Sequence, residues 1–482
     1  MATSIERVKE SESPRSKRVK STGDMTTGTA DMVESVDRLD AGAITVTEGL
    51  TVGKNTTNSQ QQQADSASRP PQLLSVAPMM DYTDVHYRQL ARLMSRNTWL
   101  YTEMVVDSTL IHNPDHDRFL AFPPEQHPIS CQLGGSNPET LAKAAKIVAA
   151  YGYDEINLNC GCPSDRVAGA GCFGAAMMLT PDLVADCCKA MSDAVGEGTE
   201  ITVKCRIGVD DEDSYDAMHR FVTVVSERAG VRHFIIHARK CLLNGLSPHQ
   251  NRTVPPLRYE WLLALKRDFP HLKFSLNGGV MTLKEAVASM EARVVCCGDG
   301  EADGKADGGG DGGGDVEATT TGTNDIFGVM IGRAAYSHPW QVLSAADTDV
   351  FSAQTNPAKN RKELLYAYAK YADGQIGSQC VKPDGHKVPS LRVVTKPILG
   401  MFSNEPRGKK WRAAVDQALR ESETLTEVLD KTLGVLPEDV LMRGPNTGTV
   451  VRDGSSWGKV VPSLGRPLPT VGGGDKAGVL VE

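Results

Sequence analysis

Tyr153-Asp-Glu-Ile-Asn-Leu-Asn-Cys-Gly-Cys-Pro-Ser-Asp-Arg166 holds a strand, its end and a turn in one short stretch. Glu155–Asn159 alternates polar with apolar residues and reads as a strand. Gly161 and Pro163 stop it, because neither continues a ladder well. An amphipathic run over Pro181–Val195 then predicts a helix. The same strand-then-helix unit recurs on both sides. Strands are predicted at Leu74–Met79, Leu100–Met104, Ile129–Leu133, Ile201–Cys205, His233–His237, Lys273–Leu276 and Gly328–Ile331. Helical periodicity falls between them at Pro138–Tyr151 (with Asn137 as cap), Tyr215–Ala229, Glu260–Phe269 and Leu283–Ala292. Eight such strands predict an α/β fold, a closed (β/α)8 TIM barrel over 73–344. A doubly wound open sheet is the competing architecture with the same alternation.

Outside the barrel the composition changes. Residues 1–70 are rich in Ser, Thr and Gln, with the run Gln60–Gln63, and predict a disordered N-terminal tail. The stretch 298–325 is a Gly/Asp-rich low-complexity insert with eight acids against one lysine, which holds seven of the net eight negative charges. It falls between a helix and the next strand, on the barrel face away from the active site, and is expected to be functionally quiet. From 345 to 440 the pattern turns helical, with Lys362–Ala372 and Lys409–Leu419 as examples, and predicts a small all-helical domain. A loose C-terminal tail over 444–482 is expected. The 11 cysteines are odd in number and lack C-x-x-C spacing, which fits a reducing compartment. No apolar run of about 18 residues predicts a membrane span, and the N-terminus shows no apolar signal region.

A barrel presents its chemistry at the carboxyl ends of its strands. There the sequence places Pro78-Met79-Met80, Gln132, Asn159 with Cys160 and Cys162, Lys204 and Arg206, His237 and Arg239, Asn277-Gly278-Gly279, and Gly332-Arg333. Each polar residue alone has a plain structural alternative, such as a satisfied core histidine or a solvated lysine. Their coincidence on one face is the signal. Glycines after the last two strands let backbone N–H groups approach a phosphate. A phosphate there, with a lysine and a histidine in the mouth, suits flavin mononucleotide (FMN), and Lys204 would stabilise the anionic reduced ring. Cysteine in a Gly-Cys-Pro turn is a candidate nucleophile or proton donor. Spacing does not decide between Cys160, which points into the barrel or supports the turn, and Cys162.

At these residues the sequence resembles a known family. Ser75-Val-Ala-Pro-Met-Met-Asp-Tyr-Thr-Asp84, Cys131-Gln-Leu-Gly-Gly135, the opening stretch, Val203-Lys-Cys-Arg-Ile-Gly208, Phe234-Ile-Ile-His-Ala-Arg-Lys240, Ser275-Leu-Asn-Gly-Gly279 and Val329-Met-Ile-Gly-Arg333 look like the flavin-dependent tRNA-dihydrouridine synthases. His237-Ala-Arg-Lys with Gly245-Leu-Ser-Pro248 is similar to the A-type subfamily, the 20/20a synthases. The resemblance spans about 73–345 and continues more loosely to about 425. It implies reduction of the C5–C6 bond of uridines U20 and U20a in the tRNA D-loop, with NADPH as reductant and FMN as hydride donor to C6. Carried over, Pro78, Met79, Met80, Gln132, Lys204, His237, Asn277, Gly278, Gly279, Gly332 and Arg333 would hold FMN. Cys162 would be the catalytic acid that protonates C5. Asn159 would bind the uracil edge, and Arg239 and Lys240 would reach the substrate or its phosphate, with a surface salt bridge as the alternative. Arg252 and Arg258, beyond the sixth strand, are further candidates for touching tRNA.

An RNA partner also fits the helical segment, where Arg392, Lys396, Arg407, Lys409, Lys410 and Arg412 stand against one acid, Glu405. No metal site is expected. The protein is expected to act as a monomer, off the membrane and in the cytoplasm, although plastids and mitochondria also hold tRNA. Two other functions compete: an FMN barrel reductase of a small molecule, and a non-catalytic tRNA-binding factor. Bound flavin would disfavour the factor, and a tRNA gel shift would disfavour the small-molecule enzyme.

Overall fold

The strands follow from β-branched and apolar alternation, and the computed structural model arranges all eight in one parallel sheet. It describes residues 69–164, 173–291, 326–445 and 468–472. The expectations for residues 1–68, for the 298–325 insert and for most of the C-terminal tail lie outside these. The strands are β1 (Leu74–Val76), β2 (Leu100–Val106), β3 (Ile129–Gly134), β4 (Glu155–Cys160), β5 (Glu200–Arg206), β6 (His233–His237), β7 (Lys273–Asn277) and β8 (Gly328–Ile331). Their order is β1-β8-β7-β6-β5-β4-β3-β2. β1 pairs along its length with β8, Leu74 opposite Val329. The last seam, β1 to β2, rests on Trp99: its carbonyl accepts from Val76 N–H (2.9 Å) and its N–H donates to Leu74 O (3.0 Å). The sheet therefore closes as a TIM barrel, and the open-sheet alternative is excluded.

Strand β1 is shorter than the predicted Leu74–Met79. Pro78 offers no N–H for a ladder, and Asp81 turns the chain at φ 66°. Several helix starts are set by side-chain caps. Asn137 Oδ1 accepts from Glu139 and Thr140 N–H ahead of Pro138–Ala149. Asp84 accepts from Tyr87 N–H ahead of Val85–Met94.

Strand alternation sorts the core into two. Outward residues, among them Val76, Leu133, Leu158, Val203, Ile236 and Leu276, pack with the helices in the main core. Inward ones make a small apolar plug of Ala77, Tyr101, Ile235 and Met330. Polar inward residues surround it. Tyr101 Oη and Ser130 Oγ both donate to Glu155 Oε1, at 2.7 Å and 2.9 Å.

The C-terminal region is helical, with Arg361–Gln375, Gly408–Ala418 and Leu425–Thr432 as its longer elements. One addition was not expected of an all-helical domain. Cys380–Val381 and Lys387–Val388 form an exposed hairpin around Pro383-Asp384-Gly385, a turn-forming sequence. Arg361 is buried at this region's centre, paired with Glu405 at 2.7 Å and lying over the Trp340 ring at 4.9 Å. The region is seated on the barrel through Asp347, which accepts from Ser95 Oγ and from Arg96 and Asn97 N–H. Within the tail, Leu468 is fully buried. Arg267 there donates to Pro469 O at 2.9 Å, and Gly472 N–H to Asp216 at 2.9 Å.

Candidate active site

Strand register lines the functional residues up across the barrel mouth. Asn159 stands beside Lys204, and Arg206, His237, Asn277 and Met330 follow one another on successive strands. Lys204 Nζ donates to Asn277 Oδ1 at 3.0 Å, and Asn277 Nδ2 donates to Met330 O at 2.8 Å. Burial, with the Arg206 guanidinium, pushes the Lys204 ammonium down to about 8. Burial, with Arg206, Lys204, Arg239 and Arg252, holds His237 well below its ordinary value, so the imidazole is neutral. Among the described residues no carboxylate forms an ion pair with Lys204, Arg206, Arg239, Arg252 or Arg333. Such a gathering of cations favours an anion.

Beside it lies a cradle that only glycine builds. Gly278 and Gly279 have φ of +99° and +81°. A Cβ on Gly278 would lie 2.5 Å from His237 Cδ2, and one on Gly279 would lie 2.4 Å from Tyr259 Oη. Tyr259 Oη fixes the turn by donating to Gly278 O at 2.5 Å. Gly332 has no such need, since its Cβ would meet Ala77 and Met79 at an ordinary 3.6 Å. Pro78–Met80 forms the adjoining loop. Met79 N–H donates to Thr83 Oγ1 at 3.0 Å, Asp81 N–H donates to Glu103 at 2.5 Å, and Met80 is exposed. A glycine cradle, cations without a carboxylate partner and a half-buried lysine fit a phosphate-bearing flavin.

Cys162 sits on a turn held from two sides. Asn159 Oδ1 accepts from the N–H groups of Gly161 and Cys162, each at 3.0 Å. Asn159 Nδ2 donates to Gln132 Oε1, Gln132 Nε2 to Asn157 Oδ1, and Asn157 Nδ2 to Thr202 Oγ1, each at 2.8 Å. From the other side Arg206, 2% exposed, donates to Gly161 O at 3.0 Å, Lys240 O at 3.1 Å and Asn251 O at 2.8 Å. The Cys162 side chain is partly exposed there. Cys160 is not directed into the barrel: strand alternation turns it outward, into the main core, where burial holds its thiol well above the ordinary value. Asn159 and Gln132 each keep one amide N–H for a ligand.

The family model described as dihydrouridine synthase (Dus) matches residues 75–300. The chain is 41% identical over 367 residues to the tRNA-dihydrouridine(20/20a) synthase of Vibrio parahaemolyticus, a match covering 76% of this chain and 98% of that one. To the Escherichia coli K12 enzyme of the same description it is 39% identical over 389 residues, covering 79% and 99%. The chain belongs to the dihydrouridine synthase family. Among solved structures, the old yellow enzyme homologue of Zymomonas mobilis matches 55% of this chain and 85% of its own at 10% identity and a TM-score of 0.35, which adds nothing to that assignment.

At the rim, this dihydrouridine synthase does not keep all its predicted cations free. Lys240 Nζ pairs with Asp213 at 2.6 Å, and Arg258 pairs with the same carboxylate at 3.2 Å while lying over Trp261. Arg239 donates to Pro255 O, and its buried Nε has no partner among the described residues. Arg252 is exposed, as is Arg333 at the start of the helix Arg333–Ser337. Arg392 pairs with Asp416 on the surface at 3.1 Å. Lys396 reaches the barrel, donating to Asp81 O and lying 5.4 Å over the Tyr82 ring. Three members of the fixing shell, Asn157, Thr202 and Tyr259, were not among the predicted site residues, and Arg206 was placed at its strand end without a role. Polar side chains at every second position of β4 (Glu155, Asn157, Asn159) are the signal that marks such an inward row.

Proposed function

We propose that the protein reduces the C5–C6 double bond of D-loop uridines, U20 and U20a, in tRNA to 5,6-dihydrouridine, with FMN in the barrel mouth and NADPH as reductant. The observation that carries this is Cys162, partly exposed on a braced turn beside a cation-rich mouth. Gly278, Gly279, Gly332 and Arg333 would hold the flavin phosphate, and Pro78–Met80, Gln132, Lys204, His237 and Asn277 would hold its ring and ribityl chain. A bound flavin supplies hydride to C6 of the uracil.

The chain's own residues do the rest. The target uridine leaves the base stack to reach the mouth. The remaining Asn159 N–H donates to a uracil oxygen and orients the ring. Cys162 Sγ gives its proton to C5, which leaves a thiolate that solvent reprotonates. Neutral His237 donates or accepts a hydrogen bond without adding charge. Arg239 and Arg252 meet the RNA at the rim. Residues 73–344 thus carry the chemistry, and 345–440 carries RNA contacts, through Arg407, Lys409, Lys410 and Arg412 before Arg392 and Lys396, which are engaged with Asp416 and Asp81 O. Mouth and RNA contacts lie on one chain, which supports a monomer, and we infer that it acts in the cytoplasm.

The test uses unmodified tRNA transcript, NADPH and purified protein, read by mass spectrometry. We expect uridines to gain two mass units, and Cys162→Ala to lower turnover by roughly 10²–10⁴-fold with flavin still bound. No gain in mass while flavin-bound protein oxidises NADPH would instead support reduction of a small molecule.

A further inference from the structure

Among the described residues, every exposed large apolar side chain of the barrel lies on a connection that leaves a strand. Met80 and Tyr82 follow β1, Leu179 follows β4, Val254 follows β6 and Met281 follows β7. Single exposed apolar residues are ordinary. Their confinement to the face that opens on the mouth is not, and such surface marks a place that a ligand covers. Tyr82, 44% exposed, is the one aromatic ring of the five.

The Tyr82 ring is held rather than loose. Its N–H donates to Met79 O at 3.1 Å. The Tyr336 ring, from the helix Arg333–Ser337 after β8, meets it edge-to-face at 4.5 Å. Tyr336 in turn lies 5.3 Å from Tyr87, whose Oη donates to Ala335 O at 2.8 Å. The Lys396 ammonium stands over the Tyr82 ring at 5.4 Å, where the ring's negative face attracts a cation. An aromatic face fixed in advance binds at a smaller entropic cost. The ring also shares the neighbourhood of the reacting centre. Burial lowers the Arg252 guanidinium from its ordinary value, Arg333 lowers it further, and Cys162 and Tyr82 both raise it.

We propose that Tyr82 stacks on a base next to the reacting uridine in the RNA chain. The proposal rests on the tRNA reading above. A uridine drawn into the mouth leaves the base stack, and its neighbour loses the face it was stacked on. An exposed aromatic ring at the lip replaces that face. The reacting uracil is served by Asn159 and Cys162, at the end of β4 and on the turn after it, whereas Tyr82 is on the connection after β1, so the ring meets a neighbouring base. A ring suits a base rather than a phosphate, which the guanidinium groups of Arg252 and Arg333 serve better. Such stacking tolerates any sequence, because every base has a π-face. The ring therefore accepts any of the four bases and loses its partner at an abasic nucleotide.

Tyr82→Ala tests it in the full-length, flavin-loaded protein, with turnover counted per bound flavin. On intact transcript kcat/KM should fall roughly 5- to 100-fold, carried mainly by KM. Tyr82→Phe and Tyr82→Trp, which keep a ring, should stay within about threefold of the parent. The decisive substrates are two transcripts, each with an abasic nucleotide on one side of the reduced uridine. On one of them the parent should fall to the level of Tyr82→Ala, and Tyr82→Ala should fall no further. An equal loss by Tyr82→Ala on the intact and both abasic transcripts would overturn the proposal, since the side chain would then act through its loop. So would an unchanged kcat/KM, failure of both ring-keeping variants, or a rise in KM for NADPH alone, which would give the ring to the dinucleotide. The same comparison in filter binding keeps the two proposals apart. If the parent binds tRNA but reduces none, a binding loss that vanishes on one abasic transcript supports the stacking while the reduction reading fails. Full turnover by Tyr82→Ala removes the stacking and leaves reduction standing.

Discussion

Glu155 is a carboxyl enclosed where a charge is costly. It is 1% exposed, accepts from Tyr101 and Ser130, and faces Glu200 across the strand pair. Burial pushes it up to about 7. A folded value above the unfolded one means that the fold prefers the protonated acid. The penalty is absent below about pH 4.5, grows between 4.5 and 7, and is complete above 7. Glu155→Gln removes that titration and keeps an acceptor for Tyr101. Relative to the parent, the variant should gain about 3 kcal/mol between pH 4.5 and pH 8, read from urea melts at both. A difference that does not change with pH would show that this carboxyl does not titrate with folding. Asn159 makes the complementary point at the same scale: its carboxamide holds the turn at two N–H groups and still leaves one hydrogen for a ligand. A residue expected only to touch substrate also positions the cysteine beside it.

Among the elements, the turn after β7 is the most demanding. Gly278→Ala would force a side chain into left-handed backbone and into His237, at a cost of roughly 1–3 kcal/mol. The variant should fold, with unchanged circular dichroism, but purify with less than about a tenth of the parent's flavin absorbance, as two or more kcal/mol implies for a site at its margin. Full flavin content in that variant would remove the cradle from the site. All eight strands were legible from alternation, β6 and β8 to the residue, because each outward row is apolar and each break carries Gly, Pro or a polar cluster. A salt bridge was an alternative for Lys240, but the partner that it shares with Arg258 was not legible. Their shared partner, Asp213, lies on the preceding strand–helix connection, 27 and 45 residues away, and only barrel closure brings the three together. The same holds for the Gln132–Asn157–Thr202 chain, which crosses three strands. Local pattern reports which way a side chain faces, not which neighbour it meets.

At the scale of the molecule, the segment Leu468–Gly472 is tied to the barrel's outer wall. Leu468→Ala should cost about 1–3 kcal/mol, seen as a lower urea midpoint and faster proteolysis of the tail, because such a segment can undock alone. Turnover at 25 °C should not change. A loss of turnover without a loss of stability would give the segment a role in the reaction. The closure of the barrel has a consequence for how the protein is made. β1 has a full ladder only with β8, more than 250 residues later, and is joined to β2 by the Trp99 bridge alone. At about 5–20 residues per second, the ribosome releases β8 on the order of ten to fifty seconds after β1. Throughout that interval the growing chain carries a first stave with no firm neighbour, so closure, and with it the mouth, is an event of late synthesis.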